Sequence, residues 1–502
     1  MLRRATLMRR KEAPVRILVP YNVTGQVVWM AGALLSAVLL AAPAAFAEPA
    51  DPFLLHDGDG LVVRGHLQLG VNAVTEQNLF WNFSGTFAPD TGFDPDTEWI
   101  EGYLKPGLSF ERSLDDGLTI YGKASLVASG TLGTDAFDTG DTGGVTLEEG
   151  YLGLRFNGVD GPGFDLSAGP REFTAGTGML IANGGSSGFD RGALKLGPHK
   201  AWAVAALGRL SWDKVTTTAF YLDANEAPDS DTGTRIVGVD LRYQPSDDSF
   251  AGVTAATVVA SSAPYPKAAP GGVGVPSILP GARDGLRLID LYGRTRPFDG
   301  ALKNLFMTAE LALERNDDID LQAWAGRIQI GYVFADRPWS PTLVYSYQTF
   351  SGDDPSTSRL ERFDPLYYEG SPSAWSTGSK SSMVFINSNV ASHQISLRLS
   401  PTPRDTLTLR YAHILADQLR SPIQYGQATR VDVSDGGLDA IAGVTAHHLS
   451  DDLFLEYIRV LRPNLYLTAG ISVSIPGAGV DSIVNANAPS WTGAFVNLVA
   501  DF

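Results

Sequence analysis

FVNLVADF, residues 495–502, alternates apolar Val496, Leu498, Ala500 and Phe502 with polar Asn497 and Asp501. A period of two belongs to a β-strand with one apolar and one polar face. The strand reaches an aromatic residue without a polar tail. A sheet in lipid leaves no edge open, because each unpaired backbone amide in hydrocarbon costs several kcal/mol. The stretch therefore predicts the last strand of a closed transmembrane barrel, paired with the first. Trp491 and Phe502 are expected at the two lipid–water interfaces, which favour aromatic side chains. A buried terminal strand in a periplasmic protein is the competing reading.

The same alternation recurs along the chain. In LVVRGHLQLGVNAV (61–74), Val63, Leu67, Leu69, Val71 and Ala73 oppose Arg64, His66, Gln68 and Asn72. LTIYGKASLVAS (118–129) and LYLTAGISVSI (465–475) repeat it. Eighteen such segments are expected, the first at 61–74 and the last at 491–502, an even number within the range of bacterial outer-membrane barrels. Even-numbered exits are short and rich in Pro, Gly and Asp, such as QPSDDS, ADRPWS, SPTPRD and LRPN. Odd-numbered exits are mostly long: 75–97, 130–146, 175–200, 261–285, 351–389 and 417–451. Loops sorted by parity predict an all-β, antiparallel transmembrane barrel with short periplasmic turns and long extracellular loops. Segment 351–389, longer than any connection needs, is the expected lid or plug.

The front end points to export. Arg3, Arg4, Arg9, Arg10, Lys11 and Arg16 precede the apolar run VVWMAGALLSAVLLA and the small-residue site Ala45-Phe46-Ala47. This pattern predicts a signal peptide over 1–47, with an uncleaved anchor as the alternative. A short periplasmic segment (48–60) and the barrel (61–502) follow. Residues 1–47 carry 6 basic and 1 acidic side chain, so without them the formal charge falls from −17 to −22. Such acidity excludes nucleic acid as a partner. With no cysteine there is no disulfide framework, thiolate metal site or thiol nucleophile. Mean hydropathy near zero (−0.01) agrees with polar residues distributed through every strand. The expected surroundings are outer-membrane lipid and lipopolysaccharide.

Strand parity then assigns the lumen. Its inward face collects Arg64, Lys105, Lys123, Arg155, Arg171, Arg209, Arg242, Arg294, Arg327, Arg398 and Arg410, together with Glu101, Glu149, Asp165, Asp240, Asp290, Glu310 and Glu456. Lys123, Arg155, Arg171 and Arg209, near mid-strand in neighbouring segments, are expected to form a basic band, and such bands select anions. The alternative is that these cations pair with lumen carboxylates and brace the wall. Acidic clusters in the loops (Asp90, Asp94, Asp96; Asp135, Asp138, Asp141; Asp229, Asp231; Asp317, Asp318, Asp320) offer oxygen ligands for divalent cations, though none follows the calcium-loop pattern, and solvated turns are the simpler account. No other cofactor is expected.

Catalytic patterns fail on geometry. Gly184-Gly185-Ser186-Ser187-Gly188 matches G-x-S-x-G, but a nucleophile elbow needs a buried strand before it and a helix after it. Adjacent His447 and His448 do not converge on one metal as i, i+4 helix neighbours do, and a lone His66 is more simply a hydrogen-bonder. An enzyme and an adhesive barrel remain as rivals to a channel.

Several stretches resemble the alginate export family of outer-membrane proteins: EEGYLGLRF (148–156), LSAGPREFTAGTGMLIANGG (166–185), LGPHKAW (196–202), AFYLDA (219–224) and PTLVYSYQTFSGDDPSTSRLERFDPLYYEG (341–370). Gly169-Pro170-Arg171 stands where relatives often carry Gly-Arg-Gln, so the arginine is displaced by one position. The resemblance implies an eighteen-stranded barrel whose loops fold over or into the lumen. It also implies passage of a polyanionic uronate polymer or, as in porin-like relatives, of small solutes. Acidic residues interspersed among the cations favour small anionic or sugar-like solutes over polymer export. The terminal Phe502 resembles the signal read by the outer-membrane assembly machinery.

Overall fold

A computed structural model describes residues 52–502, apart from 88–91, 115–116, 138, 157–160, 370–384, 424–432, 435–436, 439–442 and 485–486. The expected signal peptide, Asp90 and Asp138 lie outside the described residues.

Eighteen strands form the wall: β1 Leu61–Gln77, β2 Thr97–Ser113, β3 Leu118–Thr134, β4 Gly140–Phe156, β5 Gly163–Arg171, β6 Trp202–Trp212, β7 Val215–Asp223, β8 Arg235–Ser246, β9 Ser249–Ala260, β10 Arg287–Thr295, β11 Leu305–Asn316, β12 Leu321–Val333, β13 Thr342–Phe350, β14 Val390–Thr402, β15 Asp405–Ala416, β16 His448–Arg462, β17 Leu465–Pro476 and β18 Trp491–Asp501. Each pairs antiparallel with its neighbours, and β18 pairs with β1 from Gln68↔Asp501 to Gln77↔Thr492, closing the barrel. Pairing continues to the last residue, since Phe502 exchanges backbone hydrogen bonds with Leu67 at 2.9 and 3.0 Å. Below that point the edge of β1 is taken by a short strand, Leu54–Gly58, which folds back on it as a hairpin. Phe53 stacks on Phe502 where the two edge partners meet, with centroids 5.6 Å apart. No length of the seam needs an unpaired row of amides in lipid.

Alternation decides which side of the wall each residue faces. Leu291, Leu311, Ile328, Tyr345, Ile395, Leu409, Leu455, Ile471 and Val496 are exposed and, with the lipid-facing residues beside them, form an apolar belt. Polar residues of opposite parity, including Asn72, Glu101, Asp290, Glu310, Gln348 and Ser392, are buried inside. Trp212 projects outward near the short-turn rim and Trp324 near the other, as aromatic girdles do. Trp491 departs from expectation. It is 1% exposed and faces inward, its indole donating to Glu76 at 2.9 Å and its ring meeting Trp81 edge-on. Phe502 remains 43% exposed.

Several boundaries also differ from the sequence reading. The glycine-rich stretch 130–146 is mostly strand, because β3 runs to Thr134 and β4 starts at Gly140. At about 3.3 Å per residue such strands are roughly twice as long as the apolar band, about 25 Å tall, so their ends stand in water where glycine and threonine are tolerated.

The long loops turn inward. Segments 172–201, 261–286 and 351–369 place Met179, Leu180, Ile181, Tyr265, Leu360, Phe363 and Leu366 in one buried apolar cluster with inward-facing strand residues such as Ala312 and Ala325. Parallel bridges Ile181↔Tyr367 and Leu321↔Leu360 stitch the segments to one another and to the wall. The loop-bearing half of the lumen therefore carries a packed core.

Candidate functional site

Loop 172–201 begins where β5 ends and crosses the lumen. At its near side Thr177 donates to both carboxylate oxygens of Glu310, at 2.6 and 2.7 Å. Gly176 and Gly178, with φ of 59° and 85°, make this turn possible; a Cβ on Gly176 would come within 3.3 Å of Thr254, Tyr292 and Asp290. At its far side the backbone amides of Lys195 and Leu196 donate to Glu101, and the Lys195 ammonium reaches Glu76 at 2.5 Å. Lys200 and Ala201 donate their amides to Glu148 at 2.8 and 2.9 Å. Buried wall carboxylates thus act as acceptors that fix the loop across the bore.

Loop 351–369 is fixed just as firmly. Arg283 makes a bidentate, fully buried pair with Asp364, at 2.6 and 3.1 Å, and the Asp364 amide donates to Glu314. Burial opposes the Arg283 charge, yet Asp364 more than offsets it and holds the guanidinium above its ordinary pKa. Tyr367 donates to Glu226, while Arg191 reaches Asn225 and the Glu226 carbonyl, so the loop at 224–234 joins the same assembly. The expected lid is therefore a plug segment over 351–369; residues 370–384 lie outside the described residues.

Between loop 172–201 and the wall of β1–β3 lies a polar cavity of about 350 Å³. Lys105, Lys123, Lys200 and His66 line it together with Glu172, Tyr103, Gln68 and Asp501. Lys105 stands 2.9 Å from Glu172, 3.7 Å from Glu148 and 4.0 Å from Glu149, and Lys123 stands 2.6 Å from Glu149. Burial alone raises the Glu172 pKa, but Lys105 reverses this and leaves it below the usual carboxylate value. His66 meets the Ser109 hydroxyl at 2.7 Å, the hydrogen-bonding role expected for it.

All eleven cations named from parity sit at inward positions of their strands, but they do not act as one set. Lys105, Lys123 and Arg155 are paired with carboxylates, Arg155 with Glu111 at 2.9 Å. The bracing alternative thus describes this part of the proposed band. A second group is backed by aromatic rings: Arg171 over Tyr151 at 4.2 Å, Arg242 over Phe250 at 4.1 Å and Arg294 over Phe306 at 4.6 Å. Arg171, displaced by one place in the Gly169-Pro170-Arg171 motif, also donates to Ser167. Among the described residues, Arg209 and Arg398 have no carboxylate at ion-pair distance, although Arg209 lies opposite Asp165 in register. Arg327 lies opposite Glu310, Arg410 opposite Ser396, and Arg64 opposite Ser109 near the short-turn rim.

Glu148, Glu172, Lys195, Lys200 and Thr177 were not singled out in the sequence. The Glu148-Glu149 doublet carried a signal, because two consecutive charges break strand alternation. Ser125 pairs with Glu149 and Leu126 with Leu147, so Glu148 is the extra residue of a β-bulge and both carboxylates point inward. Ser186 lies in an irregular loop where Arg191 approaches it at 3.4 Å, and neighbouring Ser187 meets His199 at 3.3 Å. The other nitrogen of His199 faces Thr146, where a triad would place a carboxylate. Burial, then Arg191 and Lys105, lower the His199 pKa to about 4.

Residues 290–488 match the family model described as alginate export. Over that stretch the closed barrel is similar to the alginate export family of outer-membrane proteins. The match spans β11–β17 and includes the resembling stretch of sequence at 341–370; the other four resembling stretches precede it. Among curated proteins none matches the chain. Similar solved structures include a variant of OccD1 (OprD), with 11% identity over 87% of this chain and 95% of that one, at a TM-score of 0.49. OccK5 (OpdH) of Pseudomonas aeruginosa shows 9% identity over 87% and 98%, at 0.47. OmpT of Vibrio cholerae shows 10% over 89% and 100%, at 0.39.

Proposed function

We propose that this outer-membrane channel passes small anionic or sugar-like solutes, with the inward arginines setting its preference. The observation that carries this reading is the aromatic backing of Arg171, Arg242 and Arg294. A guanidinium laid on a ring keeps its full charge and its outward donors, whereas one paired with a carboxylate presents little net field. Such a surface suits a carboxylate borne on a flat, partly apolar sugar. The packed loops in the outer half of the lumen favour small solutes over an extended polymer. In this reading the chain is exported through a signal peptide at 1–47 and assembled through recognition of the strand that ends at Phe502.

The test is the reversal potential of the purified barrel in planar bilayers under a salt gradient, with oligouronate added on one side. Anion selectivity and oligouronate block are expected. Cation selectivity, or a conducting barrel indifferent to oligouronate, would overturn the assignment.

A further inference from the structure

His413, His448 and Asp451 meet on the outer face of the barrel, at the loop-bearing rim. His413 and Asp451 are direct cross-strand partners on β15 and β16. The same face carries Tyr411, Leu453 and Ile475, all exposed and part of the apolar belt or its edge. His448 precedes Asp451 by three residues, so strict alternation would turn it toward the lumen. A bulge prevents this. Ile414 pairs with Ser450 and Leu415 with His448, leaving Leu449 as the extra residue and flipping His448 outward. The Asp451 carboxylate then lies between the two rings, 2.8 Å from His413 Nδ1 and 3.0 Å from His448 Nε2. The rings stack with centroids 4.6 Å apart, and the three ligand atoms lie within 4.8 Å of one another. Tyr411 donates to Asp451 at 2.6 Å from outside this group.

We propose that these three side chains bind one divalent transition-metal ion of the zinc class. Tetrahedral zinc holds imidazole nitrogen and carboxylate oxygen at about 2.0–2.1 Å, which puts ligand atoms about 3.3 Å apart. The group needs only small side-chain adjustments to reach that spacing. Two imidazoles select zinc, nickel or copper over calcium and magnesium, which take oxygen ligands. Tyr411 supplies the outer hydrogen bond that orients a ligating carboxylate. His447 does not converge with these three ligand atoms; its Nδ1 donates to the Ala416 carbonyl at 2.7 Å. The acidic loop clusters supply no such convergence among the described residues. Asp317 pairs with Arg315 and Arg287, and Asp320 with Arg359.

The test is equilibrium dialysis of the untagged mature barrel in detergent against zinc, with calcium as a control, followed by cobalt substitution. One zinc per chain and an intense visible cobalt band are expected. His413→Asn and His448→Asn should each weaken binding about tenfold or more, and His447→Asn and His393→Asn should not. Both critical variants lie on the outer wall, and heat-modifiable gel mobility reports that they have folded. Wild-type protein that binds no zinc, or zinc binding equally strong in His413→Asn and His448→Asn, overturns the site.

Discussion

Replacing Glu149 by Gln isolates the electrostatics of the lumen. The substitution keeps the side chain's size and its contact with Ser125, at 3.0 Å, but removes the charge 2.6 Å from Lys123. Lys105 retains Glu172 and Glu148, so the net change is one uncompensated ammonium facing the cavity. Two unit charges 4 Å apart interact by about 1 kcal/mol in water and about 4 kcal/mol at an effective dielectric of 20. For an ion passing at roughly twice that distance the figures halve, and at 0.15 M salt, with a Debye length of about 8 Å, screening cuts them to about a third. The expected gain for an anion is then about 0.2–0.7 kcal/mol, a factor of about 1.4 to 3, with a matching loss for a cation. Reversal potentials under a chloride gradient should shift toward the anion, more strongly at 0.1 M than at 1 M salt. Replacing Lys123 by Met alone should shift them the other way, and the double variant, with wild-type net charge, should return near the starting value. Unchanged selectivity in Glu149→Gln, while Arg242→Gln loses anion preference, would refute the view that ion pairing silences Lys123.

Three further outcomes follow from the loops. Asp364→Asn leaves Arg283 buried without its charge partner, at a cost of about 3–5 kcal/mol. External protease should then cut segment 351–369 while the barrel keeps its folded gel mobility, and a wild-type digestion pattern would contradict the plug's dependence on this pair. Thr177→Val removes the donor that ties the crossing loop to buried Glu310, costing about 1–3 kcal/mol. More frequent sub-conductance transitions in single-channel records are expected, and a trace as quiet as wild type would show that the crossing loop is held elsewhere. His199 is neutral in the docked loop, with its pKa lowered by burial to about 4 from an ordinary 6.5. An undocked loop takes up the proton first, so docking is fully stable above pH 6.5 and weakens progressively down to pH 4. Hydrogen exchange of 172–201 should rise across that window, and His199→Gln should flatten the dependence.

The wall was legible because a membrane leaves it little choice. Every strand from 61–74 to 491–502 had to alternate, and every second exit had to be tight, so periodicity and turn composition sufficed to count eighteen. The interior was harder to read. Trp491 was assigned to the lipid interface by its place at a strand end, yet Glu76 offers its indole a buried acceptor at 2.9 Å, which no local pattern announces. Thr177 with Glu310 and Arg283 with Asp364 join residues more than eighty positions apart in sequence. Such pairs depend on where a loop lands in the bore, and alternation carries no information about that.

Two bulges show where parity itself gives way, and both coincide with clusters of chemistry. In a regular strand consecutive residues point to opposite sides of the wall, so a barrel cannot aim two neighbouring acids inward without inserting a residue. The insertion at Glu148 does this, and gives one carboxylate to the amides of Lys200 and Ala201 and the next to Lys123. The insertion at Leu449 performs the reverse operation, turning His448 outward to meet His413 and Asp451. Each bulge leaves a residue out of the ladder and re-aims the side chains beside it. Of the two, only the Glu148-Glu149 doublet shows in the sequence as broken alternation; the insertion at Leu449 sits beside the strand's first residue, where no periodicity has yet been set.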